Sequence, residues 1–186
     1  EGDGGFYQPF MDGPGNNPEN PAEDAFKQMF SLAQQRIDLA TPYLIVEDEV
    51  IDSLCRAAKS GVSVNLYLPG IPDKSYVYAS TQASYGRLLE AGVRIYEYTP
   101  GFLHAKMAVA DGEYAFIGTI NMDNRSLYLH YENGVSVYGG PLVGSISEDF
   151  AFLREKSREV TLAQWKKRPA CKRALQTVLR LLQPMM

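Results

Sequence analysis

Residues 104–126 read HAKMAVADGEYAFIGTINMDNRS and contain two short apolar runs on either side of an Asp-Gly pair. Asp-Gly between alternating apolar residues is typical of a tight β-hairpin, because both residues tolerate the positive φ angles of the turn. The pattern predicts strands over residues 103–110 and 114–118, joined at Asp111 and Gly112. The hairpin in turn predicts which neighbouring side chains share a face.

The ends of this hairpin carry the residue types that metal-free phosphodiester chemistry requires. A histidine such as His104 can attack phosphorus or carry a proton near neutral pH. Lys106 lies two residues along the strand and therefore on the same face, where its ammonium can neutralise phosphate oxygens in the transition state. Thr119 and Asn121, again two apart, add neutral donors. Glu132 is predicted to hold the other ring nitrogen of His104 and fix its tautomer.

Together these residues resemble a known family signature. The H-x-K-x4-D pattern is similar to that of the phospholipase D superfamily, and the residues that carry it are His104, Lys106, Asp111, Gly118, Thr119 and Asn121. The wider run resembles the second of two motifs in bacterial cardiolipin synthases, as do residues 41–43, 92–96 and 165–169. The resemblance extends from about residue 12 to residue 186. Thr119 stands where the superfamily often has serine, and it keeps the hydroxyl.

The resemblance implies phosphatidyl transfer between two phosphatidylglycerol molecules to give cardiolipin and glycerol, with no metal and no cofactor. Two histidines, one in each half-site, divide the work: one attacks phosphorus, and the other protonates the leaving alkoxide and then deprotonates the incoming hydroxyl. In relatives with two motifs the N-terminal histidine is usually the nucleophile. His104 is therefore expected to be the general acid and base, and Glu132 to orient it. Lys106, Thr119 and Asn121 are expected to bind the phosphate.

The chain has one such motif, whereas full cardiolipin synthases have two. It resembles their C-terminal catalytic half, and a start at Glu1 in a segment rich in Gly, Pro and Asn is typical of a cut within a longer protein. The expected partner is an N-terminal half with a second motif, and the isolated chain is expected to be inactive. Two other function classes stay open: a single-motif phosphodiesterase or nuclease that is active as a homodimer, and a non-enzymatic membrane-docking module.

Four polar residues near the motif have competing interpretations. Asp111 belongs to the catalytic signature, but its position in the hairpin turn favours turn and ion-pair support over proton transfer. Arg125 either binds phosphate or forms a buried ion pair. His130 falls outside the pattern and is expected to be a surface residue. Tyr43 follows a predicted buried strand and either lines the cleft or packs in the core.

The composition is that of an ordinary globular domain, with 186 residues of which 45% are hydrophobic. The 22 Asp and Glu residues exceed the 18 Lys and Arg residues. That balance argues against a nucleic-acid partner, because binding to the phosphate backbone depends on clustered Lys and Arg. No apolar run approaches the ~20 residues that cross a bilayer. Cys55 and Cys171 do not suggest a disulfide framework, which favours a reducing, cytosol-like setting.

The chain is predicted to have three parts. Residues 1–19 are predicted to be a flexible linker because they are rich in Gly, Pro and Asn. Residues 20–160 are predicted to be a phospholipase D-like domain, with the motif region at 99–126. Strands and helices alternate through it, which favours an α/β layered fold with a mixed, mostly parallel sheet flanked by helices. Residues 161–186 are predicted to form basic amphipathic helices.

The charge of the tail predicts contact with a membrane. Residues 160–186 contain six Lys or Arg residues and no acidic residue. On a helix starting at Pro169 the apolar residues share one face, which fits the surface of an anionic membrane. Together with the resemblance, this predicts a peripheral protein at the cytoplasmic face of the cell membrane that acts on anionic phospholipid. The competing prediction is a helix that packs on the body with its basic face in solvent.

Overall fold

The computed structural model describes residues 2–15, 20–169 and 176. It contains one eight-stranded sheet, a separate two-stranded ladder, and helices on both faces of the large sheet. The strands are β1 (Phe6–Asp12), β2 (Arg36–Ala40), β3 (Leu44–Ile45), β4 (Ser63–Pro69), β5 (Arg94–Tyr98), β6 (Met107–Ala110), β7 (Tyr114–Gly118), β8 (Met122–Asp123), β9 (Glu132–Tyr138) and β10 (Ser157–Val160). The helices are α1 (Pro21–Leu32), α2 (Asp48–Lys59), α3 (Ser75–Ala83), α4 (Tyr85–Ala91), α5 (Asn124–Tyr128), α6 (Gly140–Lys156) and α7 (Leu162–Lys166).

The large sheet has the strand order β1-β9-β7-β6-β2-β4-β5-β10. The predicted α/β class and mixed sheet are confirmed, and so is the β6–β7 hairpin at the Asp-Gly pair. Antiparallel strand pairs outnumber parallel ones, which differs from the predicted mostly parallel sheet. Within this sheet only β2–β4 and β4–β5 are parallel. The regular alternation of strand and helix that predicted parallel pairing covers only β2 to β5. Every other neighbouring pair is antiparallel.

The predicted linker at residues 1–19 is wrong for its central part. Phe6–Asp12 forms an edge strand that pairs antiparallel with β9, in a register that sets Phe6 opposite Tyr138 and Asp12 opposite Glu132. Pro9 is tolerated there because an edge strand needs no amide donor on its outer side. The buried carboxylate of Asp12 accepts a hydrogen bond from Ala22 N at 2.9 Å, which ties the strand to the start of α1.

Two apolar layers enclose the sheet. On one face α1, α2 and α4 pack against it. Apolar residues recur at helical spacing over residues 26–33, which predicts a core-facing stripe on α1, and this stripe is buried there, with Phe26 and Phe30 at 2% and 1% exposure. On the other face α6 covers β6, β7 and β9 through Val143, Ile146 and Phe150. Because side chains alternate along each strand, these two layers account for both faces of the central strands.

The boundaries of several predicted elements shift. The sequence predicts one helix over residues 74–91, ended by Gly92, but this helix is interrupted at Ser84 and becomes α3 and α4. The sequence also predicts a helix over about residues 141–158, but this helix ends at Lys156, and the next residues form β10, which pairs with β5. A strand of four residues directly after a helix has no pattern of its own, so its existence depends on β5 lying beside it.

The predicted tail helix falls almost wholly outside the described residues. Within the described part, α7 packs Trp165 on Tyr85 with ring centroids 5.2 Å apart, and Arg168 stacks on Trp165 at 4.1 Å. Gln176 is buried and accepts a hydrogen bond from Arg168. None of the helices in the described ranges has the length and apolar character that a membrane crossing requires.

Candidate active site

Three strand ends converge at one edge of the sheet. His104 and Lys106 precede β6, Thr119 follows β7, and Glu132 opens β9. These ends coincide because β6 and β9 both run antiparallel to β7. The same edge receives the carboxyl end of β2, where Ala40 pairs with Met107. In α/β sheets ligands bind beyond the carboxyl ends of parallel strands, so the candidate site lies where the fold favours one.

The candidate site is an open depression of about 580 Å³. We call it the His104 depression, and its polar lining consists of His104, Lys106, Thr119, Asn121 and Glu132. The five residues that the sequence predicted to act together are therefore brought together, whereas Asp111 is not among them. The side chains of Met107 and Ile117 add apolar surface to the same depression.

The imidazole of His104 is held by Lys106. Lys106 Nζ lies 3.2 Å from His104 Nδ1 and donates a hydrogen bond to His104 O at 2.8 Å. An ammonium can only donate, so Nδ1 is the acceptor and the neutral ring carries its proton on Nε2. Nε2 makes no hydrogen bond to any described residue, and the His104 side chain is exposed. The ring thus presents an N–H to the solvent-filled depression.

The lysine of this pair is only partly solvated. Burial lowers the pKa of Lys106, while the carboxylates of Glu132 and Asp123 oppose that shift. Asp123 is itself shielded, and burial raises the pKa of its carboxyl despite backbone hydrogen bonds from Ser126 and Arg125. A cation with little water around it interacts strongly with an incoming anion, because the local dielectric is low.

Glu132 does not hold His104, and that prediction is wrong. Its two carboxylate oxygens accept hydrogen bonds from the hydroxyls of Thr119 and Ser126. The Thr119 hydroxyl also accepts from Asn133 N at 2.9 Å. Glu132 therefore orients the hydroxyl of Thr119, and no hydrogen bond links it to the imidazole of His104.

Asn121 extends the same network to the far side of Ser126. Its Nδ2 donates to Ser126 Oγ at 2.9 Å, and Ser126 Oγ donates to Glu132. The Oδ1 atom of Asn121 is buried and has no hydrogen-bond partner among the described residues. Ser126 is the residue of this network that the sequence did not predict. Its position three residues after the helix cap Asp123, whose side chain accepts from Ser126 N, is the signal that could have placed it.

Asp111 lies at the other end of β6 and does not line the His104 depression. The seven residues from His104 to Asp111 span on the order of 23 Å when extended. The Asp111 carboxylate accepts hydrogen bonds from the backbone amides of residues 34, 35 and 36, at 2.7 to 2.8 Å. Burial raises the pKa of Asp111, but these three bonds outweigh it and the net shift is downward. The predicted turn role is confirmed by its φ of 55°, although its partners are amides and not a cation.

The two other candidates lie beside the depression. Arg125 is exposed and its Nε donates to His130 Nε2 at 2.9 Å, so the predicted buried ion pair is wrong. His130 is exposed as predicted, yet its Nδ1 lies 3.8 Å from Glu132 Oε1. His130 therefore contacts the Glu132 network from outside. Within the described ranges, no hydrogen bond or ion pair joins a lysine to His130 in the way that Lys106 contacts His104.

Tyr43 occupies a second, smaller hollow next to the first. This hollow of about 260 Å³ is lined by Tyr43, Lys74, Asp123 and Arg125, among others. The Tyr43 hydroxyl donates to Asp73 at 2.7 Å, and burial together with Asp73 raises the pKa of Tyr43 to about 12. Its ring lies 6.4 Å from the ring of Phe102, which in turn lies 5.6 Å from His104. Tyr43 is thus neither a core residue nor part of the His104 depression.

The sheet order, the histidine–lysine pair and the hydroxyl–carboxylate network define a phospholipase D-type domain. Residues 26–154 match the family model described as the phospholipase D-like domain of cardiolipin synthase. The chain belongs to this family. A cardiolipin synthase from Alkalihalophilus pseudofirmus is 36% identical over 186 residues, which is 100% of this chain and 37% of that protein. The chain thus spans little more than a third of the length of such relatives.

Solved structures agree with this fold. The phospholipase D family member Nuc from Salmonella typhimurium superposes with a TM-score of 0.71 at 18% identity, covering 84% of this chain and 99% of Nuc. Phosphatidylserine synthase from Haemophilus influenzae superposes with a TM-score of 0.70 at 16% identity, covering 97% of this chain and 46% of that enzyme. At these identities the likeness establishes the fold alone.

Proposed function

We propose that this chain supplies one of two half-sites for a cardiolipin synthase-type phosphatidyl transfer. The observation that carries the proposal is the contact of His104 with Lys106 at 3.2 Å in a depression that also holds Thr119, Asn121 and Glu132. The match to the phospholipase D-like domain of cardiolipin synthase supports a phosphatidyl group as the group that is transferred. Donor and acceptor are phosphatidylglycerol, and the products are cardiolipin and glycerol.

The reaction divides between two histidines. In the first step a histidine of the complementary half-site attacks phosphorus, a P–N bond forms, and the P–O bond to glycerol breaks. Nε2 of His104 gives its proton to the departing alkoxide as Nδ1 takes the proton that Lys106 donates to it, so the imidazole stays neutral. In the second step Nε2 takes a proton from the hydroxyl of the second phosphatidylglycerol, whose oxygen attacks phosphorus as the P–N bond breaks, and Nδ1 returns its proton to Lys106. Both imidazoles return to their starting states, so no further reactant is needed.

Lys106 supports both steps by electrostatics. Its ammonium holds Nδ1 of His104 and keeps the transferable proton on Nε2. It also faces the depression, where it can neutralise the non-bridging oxygens of phosphorus as negative charge builds. Thr119 and Asn121 line the phosphate side of the same depression. The Thr119 hydroxyl donates its one proton to Glu132, so it must turn away from that carboxylate to donate to a phosphate oxygen.

The need for a complementary half-site follows from the histidine count. The chain has two histidines, and His130 accepts from Arg125 at Nε2 while its Nδ1 lies 3.8 Å from Glu132 Oε1. His130 therefore does not fit the role of the attacking nucleophile. The second histidine–lysine pair comes from another polypeptide segment, for which an N-terminal half with its own motif is the proposed source.

The substrate stays in a bilayer, so the enzyme must work at its surface. We propose that the basic tail brings the chain to anionic phospholipid at the cytoplasmic face of the cell membrane. Nucleic acid is not the proposed partner, because the chain has a formal net charge of −4 and binding to a phosphate backbone needs a cluster of cations.

The proposal is tested by cardiolipin synthesis in the enzyme assembled with its complementary half-site. His104→Ala should lower turnover by about 10² to 10⁴, because general acid and base catalysis typically contributes that much. His130→Ala, the matched change at the other histidine, should leave turnover close to that of the unsubstituted enzyme. Equal losses from the two substitutions would contradict the assignment of the acid and base to His104.

A further inference from the structure

An apolar surface adjoins the His104 depression on the face of the sheet that α6 covers. We call it the apolar shelf and define it by Pro9, Met11, Ile117 and Val135. In the β1–β9–β7 register, Pro9 lies opposite Val135 and Val135 lies opposite Ile117. Residues directly opposite across antiparallel strands share a face, so these side chains form one row.

The shelf is the part of this face that α6 leaves open. Two residues further along the strands, Ala115 and Val137 are completely buried beneath α6. Ile117 and Met11, in contrast, are 39% and 51% exposed. Large apolar side chains that remain exposed together at the edge of a covered layer commonly mark a binding surface.

The shelf and the His104 depression are continuous. A hollow of about 440 Å³ lies over the shelf, and its lining shares Ile117, Gly118 and Thr119 with the depression. None of the residues that line this hollow is charged. A ligand whose phosphate lies against Lys106 and Thr119 therefore has an uncharged, largely apolar surface immediately beside it.

We propose that the apolar shelf binds the first methylenes of an acyl chain of the phospholipid whose phosphate occupies the His104 depression. This inference rests on the proposed function, because it assigns a place to the apolar part of the same substrate. Only a glycerol unit separates phosphate from acyl ester, so the two parts must occupy neighbouring surfaces. A polar or charged neighbour of the phosphate, such as the next sugar and phosphate of a nucleic acid, would lose hydration on this shelf without compensation.

Binding of two soluble ligands to the chain tests the inference. Monomeric dihexanoyl phosphatidylglycerol carries short acyl chains, whereas glycerophosphoglycerol has the same headgroup and none. The first should bind at least about tenfold more tightly, since each buried methylene contributes roughly a fourfold gain. Ile117→Thr and Met11→Gln should both reduce that ratio towards one, and Met11→Gln, which lies outside the His104 depression, should leave the affinity for glycerophosphoglycerol unchanged.

The variants keep the strands intact. Threonine retains the β-branched shape of isoleucine, and both altered residues are partly exposed and lie outside the fully buried core. Leu32→Ser is the matched control, because Leu32 is an exposed apolar residue (64%) on α1, away from the shelf. It should leave both affinities unchanged. Circular dichroism of each variant should match that of the unsubstituted chain.

Each other outcome has a distinct meaning. If neither ligand binds, the proposed function itself fails. If both ligands bind equally, or if the ratio survives in Ile117→Thr and Met11→Gln, the acyl chain does not lie on the shelf and the inference is overturned. If the two variants instead change the sedimentation of the ligand-free chain, the shelf is a protein interface, and the inference is again overturned.

Discussion

Lys106 Nζ lies 3.2 Å from His104 Nδ1, on the side of the imidazole away from the nitrogen that bears the ring proton. One lysine thereby fixes the tautomer of the histidine and lines the same depression, where it is proposed to neutralise the phosphate. In catalytic triads a carboxylate usually fixes the tautomer by accepting from Nδ1–H. Here Glu132 holds Thr119 instead, and Lys106 donates to Nδ1, so the ring proton of His104 lies on Nε2.

This relationship predicts how the rate depends on pH on the alkaline side. Burial lowers the pKa of Lys106, so the ammonium loses its proton at a lower pH than a solvated lysine does. Phosphatidyl transfer should therefore decline with rising pH before an ordinary lysine titrates. Lys106→Arg should keep part of the activity and shift the decline upward, because a guanidinium stays protonated. A pH–rate profile that is identical for lysine and arginine would argue against a role for the charge on Lys106.

Asp111 should govern stability at neutral pH and not catalysis. Its pKa is depressed in the folded state, so its contribution is present above the unfolded pKa of about 3.9 and is lost as pH falls through the folded value. Asp111→Asn tolerates the positive φ and should lower the free energy of unfolding by about 1 kcal/mol near neutrality. In urea titrations the difference from the unsubstituted chain should shrink below about pH 4. A difference that is constant with pH would show that the carboxylate charge is irrelevant.

Gly118 is required by the close approach of β7 and β9. A Cβ at this position would lie 2.3 Å from Asn133 O, a backbone atom that cannot move aside. Gly118→Ala should lower the free energy of unfolding by about 2 kcal/mol or more, because the strands must separate. Gly144→Ala is the matched control in α6, where a Cβ meets nothing within 4 Å. It should raise stability by roughly 0.5–1 kcal/mol through helix propensity. Thermal unfolding of both variants decides between these expectations.

The basic tail should bring the chain to anionic vesicles. Each Lys or Arg near such a surface contributes about 1 kcal/mol, and salt screens that attraction. A chain that ends after Pro169 keeps Trp165 packed on Tyr85 and removes the last three of the six basic residues. In co-sedimentation it should bind phosphatidylglycerol vesicles more weakly than the full chain does. Neither chain should bind zwitterionic vesicles. Equal binding of the two chains would mean that the removed residues make no contact with lipid.

The sequence predicted the elements whose signals are local. The hairpin at Asp111 and Gly112 and the apolar stripe of α1 were correct, because turn chemistry and helical periodicity lie within a few residues. Strand β1 was missed because Pro9 and the surrounding glycines resemble a linker. What makes residues 6–12 a strand is β9, more than a hundred residues later.

The sequence predicted which residues lie at the candidate site, but it did not predict which side chains those residues contact. The spacing along the predicted strands indicated that five polar residues lie together, and the structure places them in one depression: His104, Lys106, Thr119, Asn121 and Glu132. The spacing could not tell which side chain each carboxylate would meet, because a strand end leaves several directions open. Hence Glu132 was assigned to His104 when it holds Thr119, and Asp111 was expected to support an ion pair when it binds backbone amides at the far end of β6.

The central claim is that His104 carries the proton while a histidine outside this chain carries the phosphatidyl group. The most direct measurement is to quench the assembled enzyme during turnover of labelled phosphatidylglycerol with alkali, which preserves phosphohistidine, and to map the label by mass spectrometry. The account predicts label on a histidine of the complementary half-site. It also predicts that His104→Ala still forms this adduct from a phosphatidyl donor with a p-nitrophenol leaving group, which needs no acid. Label on His104 in the unsubstituted enzyme would contradict the claim.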